Sequence, residues 1–379
     1  MPDAPVAVIG GGVVGAAVAY TLARRGVPSV VLEAEAQFGL AASGTNSGIV
    51  HTGFDSPRGE LETRLILRAA ELRGPVLEDL GVPVRRCGAV LRPHGRDEAQ
   101  TVEQIAAGAR ANGVEVELDG DGALHVPGEA ITDPVAYTDG LIAAAEAGGA
   151  EARTRARVVR IARLGDGLAL GLAGGGEVTC RVAVNCAGLY ADQVARMAGD
   201  DGFTIYPRKG EFFVFDPPEP LEQILLPVPT KRTKGVLVFP TIDGHVVAGP
   251  TAHDQEDKED WRVRPEAYDE VMAKARAMWP ALEGSEPIAS YAGLRPAGRA
   301  GANYLIARSA CLPTLINVAA IRSTGLTASL AIGEYVARLV AEQGVAVGPD
   351  RRLKPRAGRS ESDDLPWWRR TAQAKAVAR

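Results

Sequence analysis

Val6-Ala7-Val8-Ile9-Gly10-Gly11-Gly12-Val13-Val14-Gly15, followed by small and apolar residues as far as Arg24-Arg25, decides how the chain begins. Four consecutive apolar residues ahead of glycines read as a strand buried on both faces, the habit of parallel sheets. The glycines make a turn, Val13 to Arg25 a helix, and Gly26-Val27-Pro28 stops that helix. Val30-Val31-Leu32 is the next strand, and Glu33 stands at its end. In Gly10-x-Gly12-x-x-Gly15 the glycines let the backbone approach a pyrophosphate, at a helix N-terminus whose free N–H groups and dipole favour negative charge. An acid roughly 20 residues further on accepts from ribose hydroxyls, the part expected of Glu33. Gly10, Gly12, Val13, Val14, Gly15, Glu33 and Ala34 are therefore expected at a cofactor. The spacing alone is a weak signal, but strand, turn, helix, strand and acid in sequence specify a dinucleotide site.

Outward from this unit, Ala42-Ser43-Gly44-Thr45-Asn46-Ser47-Gly48 forms a small-residue loop leading to His51. Apolar spacing predicts helices over Gly59–Leu80, Glu98–Asn112 and Pro134–Ala147, and a strand over Val114–Leu118. Arg157–Ile161, Leu168–Leu172 and Val178–Asn185 predict a small meander, which makes Gly174-Gly175-Gly176 a hairpin turn rather than a second nucleotide motif. Strand-like runs punctuated by proline between Phe203 and Pro250 predict an antiparallel sheet, a different architecture from the opening. A helix over Pro265–Met278, a strand over Thr314–Ala319 and a helix over Thr327–Leu339 follow. The expected organisation is a nucleotide-binding domain from 1–80, 140–202 and 291–347, and a substrate domain from 81–139 and 203–290. The tail, 348–379, is rich in Arg, Pro and Ser and expected to be poorly ordered. Within it, Trp367-Trp368-Arg369-Arg370 suits either packing on the protein body or peripheral contact with a membrane.

The 379 residues, 46% hydrophobic and 23% charged, suffice for two domains with a large core. A net charge of -5 leaves no basic excess for nucleic acid. Four cysteines without CxxC spacing imply reduced thiols rather than disulfides, and five histidines without HxxxH or HExxH pairing imply no metal. The first residues do not resemble a secretion signal, and the longest apolar run is too short for a bilayer. A cytoplasmic protein, at most peripheral to the inner face of a membrane, is expected.

From the loop at Ala42–Gly48 onward the sequence resembles the flavoprotein family that includes D-amino-acid oxidase, glycine oxidase and glycerol-3-phosphate dehydrogenase. Val184-Asn185-Cys186-Ala187-Gly188-Leu189-Tyr190-Ala191-Asp192 resembles that family's second FAD-contact segment. Pro207–Glu211, Thr233–Pro240 with Gly249-Pro250-Thr251, and Ile321–Ala328 resemble the glycerol-3-phosphate dehydrogenase and oxidase branch. The L-2-hydroxyglutarate dehydrogenase and oxidase branch shares the Asn-Ser-Gly-x-x-His and Ser-x-Gly-Leu-Thr patterns. The likeness runs over nearly the whole chain. It implies FAD rather than NAD, and an α/β fold in which a Rossmann-like FAD-binding domain is interleaved with an antiparallel β-sheet substrate domain. It adds cofactor contacts at Ala42, Ser43, Gly44, Asn46, Ser47, Gly48, Val158, Cys186, Ala187, Gly188, Gly293, Arg295, Gly325, Leu326 and Thr327.

The resemblance also lays His51 beside the isoalloxazine, where an imidazole suits a general base, with a histidine bonded to backbone or a covalent flavin tether as the alternatives. Arg295 corresponds to a position that binds the substrate's anionic group, and Lys209 and Arg322 are further substrate contacts. Arg322 adjoins a helix N-terminus expected to stabilise charge on the reduced ring. Thr324 stands where the family more often has proline, which predicts a less rigid loop. The implied activity is oxidation of a small anionic secondary alcohol, sn-glycerol 3-phosphate first, with oxygen or a quinone as acceptor. An L-2-hydroxy acid, an amino acid or secondary amine, and a non-catalytic electron-relay subunit are the alternatives.

Overall fold

Ala4–Ile9 lies at the middle of an eight-stranded sheet in the computed structural model, which describes residues 2–230, 235–301, 303–354 and 365–377. The strand pairs in parallel with Ser29–Leu32 on one side and with Glu177–Asn185 on the other. Glu151–Arg153 extends the sheet beyond Ser29–Leu32, and Leu315–Ala319 runs parallel to the last residues of Glu177–Asn185. Val158–Leu164 and Gly167–Leu172 add the expected antiparallel meander. Parallel strands share one carboxyl edge, the edge at which open sheets of this kind bind ligands.

Among the described residues the helices are α1 (Val13–Arg24), α2 (Leu61–Leu80), α3 (Arg96–Ala111), α4 (Pro134–Ala147), α5 (Ala191–Met197), α6 (Ala267–Met278), α7 (Gly325–Ala341) and α8 (Trp367–Val377). Helix α1 is buried on nearly every face, with Ala16, Ala17, Ala19 and Ala23 in the core it shares with α4 and α7. Alanine at these positions lets helix axes approach closely while keeping full helix propensity, so the small-residue composition is the cause of the sandwich.

The second sheet is built on Ile205–Phe215, which pairs antiparallel with Ala289–Gly298 from Ile205↔Gly298 to Val214↔Ala289. On its other side follow Val246–Gly249, Leu237–Pro240 and Ile224–Leu226. Ile224–Leu226 then pairs in parallel with Ala89–Leu91, a single parallel seam that joins two distant stretches of chain in a mostly antiparallel sheet. Helix α6 covers one face through Val271, Met272 and Ala275. A small third sheet, Ile49–Val50 with Ala130–Thr132 and Val84–Arg86, sits just before His51.

Four elements differ from expectation. The predicted strand over Val114–Leu118 is reduced to Glu117–Leu118. Ala289–Gly298 is one unbroken strand, so the domain boundary expected at 291 falls inside it. Gly293, Pro296 and Gly298 hide it in the sequence, and proline is tolerated because this edge strand has one neighbour. Helix α5 was not anticipated. The tail carries α8, whose Trp367 and Trp368 are 2% and 0% exposed. Trp367 meets Tyr291 edge-on at 5.5 Å, and the Trp368 indole donates to Asp243 at 3.2 Å. Buried rings are not presented to headgroups, which corrects the membrane-contact reading of this motif. No helix among the described residues is long and apolar enough to cross a membrane.

Candidate active site

The carboxyl edge of the first sheet opens into a cleft of about 380 Å³. Gly10 has φ 104°, and a Cβ there would lie 2.5 Å from the Cys186 carbonyl oxygen. A Cβ on Gly15 would sit 1.9 Å from the Gly10 carbonyl oxygen, so only glycine lets α1 start this close to its strand. The Gly11 amide donates to Glu33 Oε2 at 2.6 Å and the Glu35 amide to Glu33 Oε1 at 2.8 Å. Burial outweighs these bonds and raises the Glu33 carboxyl above its ordinary range. Ser43 Oγ accepts from the Val13 amide at 2.9 Å, which brings the small-residue loop onto the start of α1. A cradle that any Cβ would fill, a helix N-terminus and a half-buried acid fit a dinucleotide.

Of the expected cofactor contacts, Gly10, Gly12, Val13, Val14, Glu33, Ala34, Ala42, Ser43, Asn46, Val158, Cys186, Ala187, Gly188, Gly325 and Leu326 line this cleft. Others stand behind it. Gly44 O accepts from the Thr371 hydroxyl of α8 at 2.8 Å, and Gly48 donates to Asn46 Oδ1 at 3.0 Å. Ser47 Oγ accepts from the Ile49 amide at 3.3 Å, and Gly293 packs directly on Thr45. Sequence reasoning missed Glu35, Arg157, Gln193 and Met197 in the lining. The last two belong to α5, which starts three residues after Gly188 and could have been sought as the helix that follows a strand and a glycine turn.

His51 follows Ile49–Val50, and its backbone is fixed on both sides. Its amide donates to Thr327 Oγ1 at 3.1 Å, and its carbonyl accepts from both terminal nitrogens of buried Arg73 at 3.2 Å. The ring Nδ1 lies 2.8 Å from Glu129 Oε2, and the side chain is 23% exposed. Glu129 was not anticipated from the sequence. Thr324, expected to loosen the following loop, instead bonds the Glu62 carboxylate and the Tyr304 hydroxyl.

The three cations expected at the substrate are not equivalent. Lys209 is 1% exposed, and its ammonium donates to Asp260 at 2.9 Å and to the Arg262 carbonyl at 3.1 Å. It anchors segment 252–264, and the expectation that it holds substrate is withdrawn. Arg295 Nε donates to the Arg208 carbonyl at 3.1 Å, and its Nη2 to the carbonyls of Lys209 at 3.0 Å and Thr251 at 2.8 Å. This leaves Nη1 rather than a whole fork. Burial, with Arg208 and Arg322 nearby, pushes its guanidinium down to about 10. Arg322 lines the cleft and, among the described residues, forms no hydrogen bond or ion pair. Thr233 and Lys234 of the motif at Thr233–Pro240 lie outside the described residues. No group of three or more metal-ligating side chains occurs among the described residues.

A dinucleotide cleft at the carboxyl edge of a parallel sheet, beside a second, mostly antiparallel sheet, is the architecture of a dinucleotide-binding α/β protein. The chain belongs to the family of FAD-dependent oxidoreductases (DAO), whose family model matches residues 5–339. It is an FAD-dependent oxidoreductase, and its cofactor is FAD. It is 29% identical over 349 residues to a glycerol 3-phosphate dehydrogenase of Caloramator mitchellensis, covering 87% of this chain and 72% of that one. To an L-2-hydroxyglutarate dehydrogenase of Escherichia coli it is 26% identical, over 70% of this chain and 68% of the other. The fold is shared with the FAD-bound L-alpha-glycerophosphate oxidase of Mycoplasma pneumoniae, with a TM-score of 0.84 at 24% identity over 94% and 97% of the two chains.

Proposed function

We propose that the protein oxidises a small anionic secondary alcohol, with sn-glycerol 3-phosphate as the leading substrate and dihydroxyacetone phosphate as product. The observation that carries this reading is a guanidinium on the cleft lining that has no partner among the described residues, with an imidazole tied to the helix that begins just after it. His51 is fixed to Thr327 in α7, and Arg322 lines the cleft three residues before that helix begins. When bound, FAD supplies the two-electron acceptor for the alcohol carbon. The residues of the chain do the rest. Gly10, Gly12 and the start of α1 hold the pyrophosphate, and Glu33 holds the ribose. His51 takes the hydroxyl proton. Arg322, with the remaining donor of Arg295, receives the phosphate. An external acceptor, oxygen or a quinone, carries the electrons away.

The similarity to the L-2-hydroxyglutarate dehydrogenase favours an L-2-hydroxy acid as the second reading, since a carboxylate meets the same arginines. Incubation with sn-glycerol 3-phosphate, L-2-hydroxyglutarate or glycine, followed by product analysis, separates them. Dihydroxyacetone phosphate is expected. 2-Oxoglutarate as the sole product selects the second reading, and glyoxylate alone rejects both.

A further inference from the structure

We infer that Glu129 is the positioning residue that makes His51 a base: its buried carboxylate holds the proton on Nδ1 and leaves Nε2 as the acceptor. The inference rests on the proposed function only for what the base deprotonates. Glu129 is 0% exposed and comes from the turn between Leu124–Val126 and Ala130–Thr132. That turn is fixed at both backbone groups, because Glu129 N donates to Val126 O at 3.3 Å and Gly88 N donates to Glu129 O at 2.9 Å. The carboxylate is shared between two neighbours. Oε1 accepts from the Thr52 amide at 2.7 Å and from its hydroxyl at 2.8 Å, while Oε2 faces His51 Nδ1 at 2.8 Å.

An ionised carboxylate is an acceptor only, so the imidazole nitrogen facing it must be the donor. Nε2 then carries the lone pair, and among the described residues it has no partner. The same carboxylate stabilises the imidazolium formed when the hydroxyl proton arrives on Nε2. A carboxylate retained only to anchor the turn would need Thr52 and the backbone, and would leave the imidazole free to choose its tautomer. The two roles therefore differ in a measurable property of His51.

Nitrogen NMR of the holoenzyme with isotope-labelled histidine reads that property, with the His51 signal assigned by its loss in His51→Asn. Neutral His51 is expected with its proton on Nδ1, and a proton on Nε2 overturns the inference. Glu129→Gln keeps an oxygen for Thr52 but turns an amide donor towards Nδ1, so the tautomer is expected to invert. Flavin reduction at saturating substrate then falls by roughly 10²- to 10⁴-fold, the span for a misoriented or missing base. FAD retention is expected to stay at the parental level. Parental reduction in an inverted variant also overturns the inference. Should Glu129→Gln fail to fold, the parental tautomer still decides. If that tautomer is as expected while only amines reduce the flavin, the alcohol reading fails and the role of Glu129 stands.

Discussion

At the scale of single residues, His51→Ala is expected to leave FAD bound and to slow anaerobic flavin reduction by about 10²- to 10⁴-fold. Rapid mixing checks it, and a parental rate assigns the base elsewhere. The arginines divide the work. Arg322→Ala removes a charge-assisted contact of about 1.5–3 kcal/mol, which corresponds to an apparent KM higher by roughly 10- to 100-fold. Arg295→Ala instead deprives three carbonyls, those of Arg208, Lys209 and Thr251, of their donor. It is expected to lower the thermal midpoint along with activity, whereas Arg322→Ala leaves the midpoint in place. An unchanged midpoint in Arg295→Ala contradicts this division. His51 was singled out in the sequence through the family resemblance, which lays the small-residue loop before it beside the flavin. Glu129 was not, since its bond to His51 spans 78 positions and one glutamate in a Pro-Gly-Glu turn carries no pattern. Arg295 looked like a free fork because its carbonyl partners reach it only through strand pairing and the loop at Thr251.

At the scale of elements, α8 is the part that composition alone misjudges. An Arg- and Pro-rich tail has the signature of disorder, but two tryptophans bury enough apolar surface to order a helix of 11 residues. Thr371 ties α8 to Gly44 in the small-residue loop. Removing residues 355–379 is therefore expected to weaken FAD retention on dilution, read by flavin fluorescence. Trp367→Ala is expected to cost about 3–5 kcal/mol in chemical denaturation. A cost near zero shows that α8 does not dock in solution.

Segment 252–264 is held by Lys258–Asp192, Lys209–Asp260 and Arg264–Glu211 pairs. Burial opposes ionisation of Asp192, but Lys258 and the Ile205 amide hold its carboxyl below the usual range; burial likewise opposes Glu211, which Arg264 and Thr251 bring down. Arg262 and Lys209 hold Asp260 lower still. Folded values below the unfolded ones mean that this stability is complete at neutral pH. It drains as pH falls through about 4 towards the folded values. Melting curves at descending pH are expected to show the loss, and Lys258→Met to lessen it. The same acid sensitivity in Lys258→Met contradicts the assignment of these pairs.

At the scale of the molecule, the parallel sheet was legible because continuous apolar strands, glycine turns and a small-residue helix all give the same answer locally. The second sheet was legible as antiparallel, but its edge strand Ala289–Gly298 and its parallel seam depend on partners far apart in sequence, Val214↔Ala289 to Ile205↔Gly298 and Ala89↔Ile224. Bound FAD stabilises only the folded chain, by about 2.7 kcal/mol at one hundred times Kd, so the apoprotein is expected to melt lower. Acid precipitation is expected to release FAD into the supernatant, and flavin retained in the pellet would point to a covalent tether, with His51 the first residue to test. The most direct test of the central claim is anaerobic mixing of the holoenzyme with sn-glycerol 3-phosphate while flavin absorbance is followed. Rapid and complete bleaching is the expected result, with glycine inert. A flavin that stays oxidised with sn-glycerol 3-phosphate and L-2-hydroxyglutarate alike, but bleaches with an amine, would contradict it.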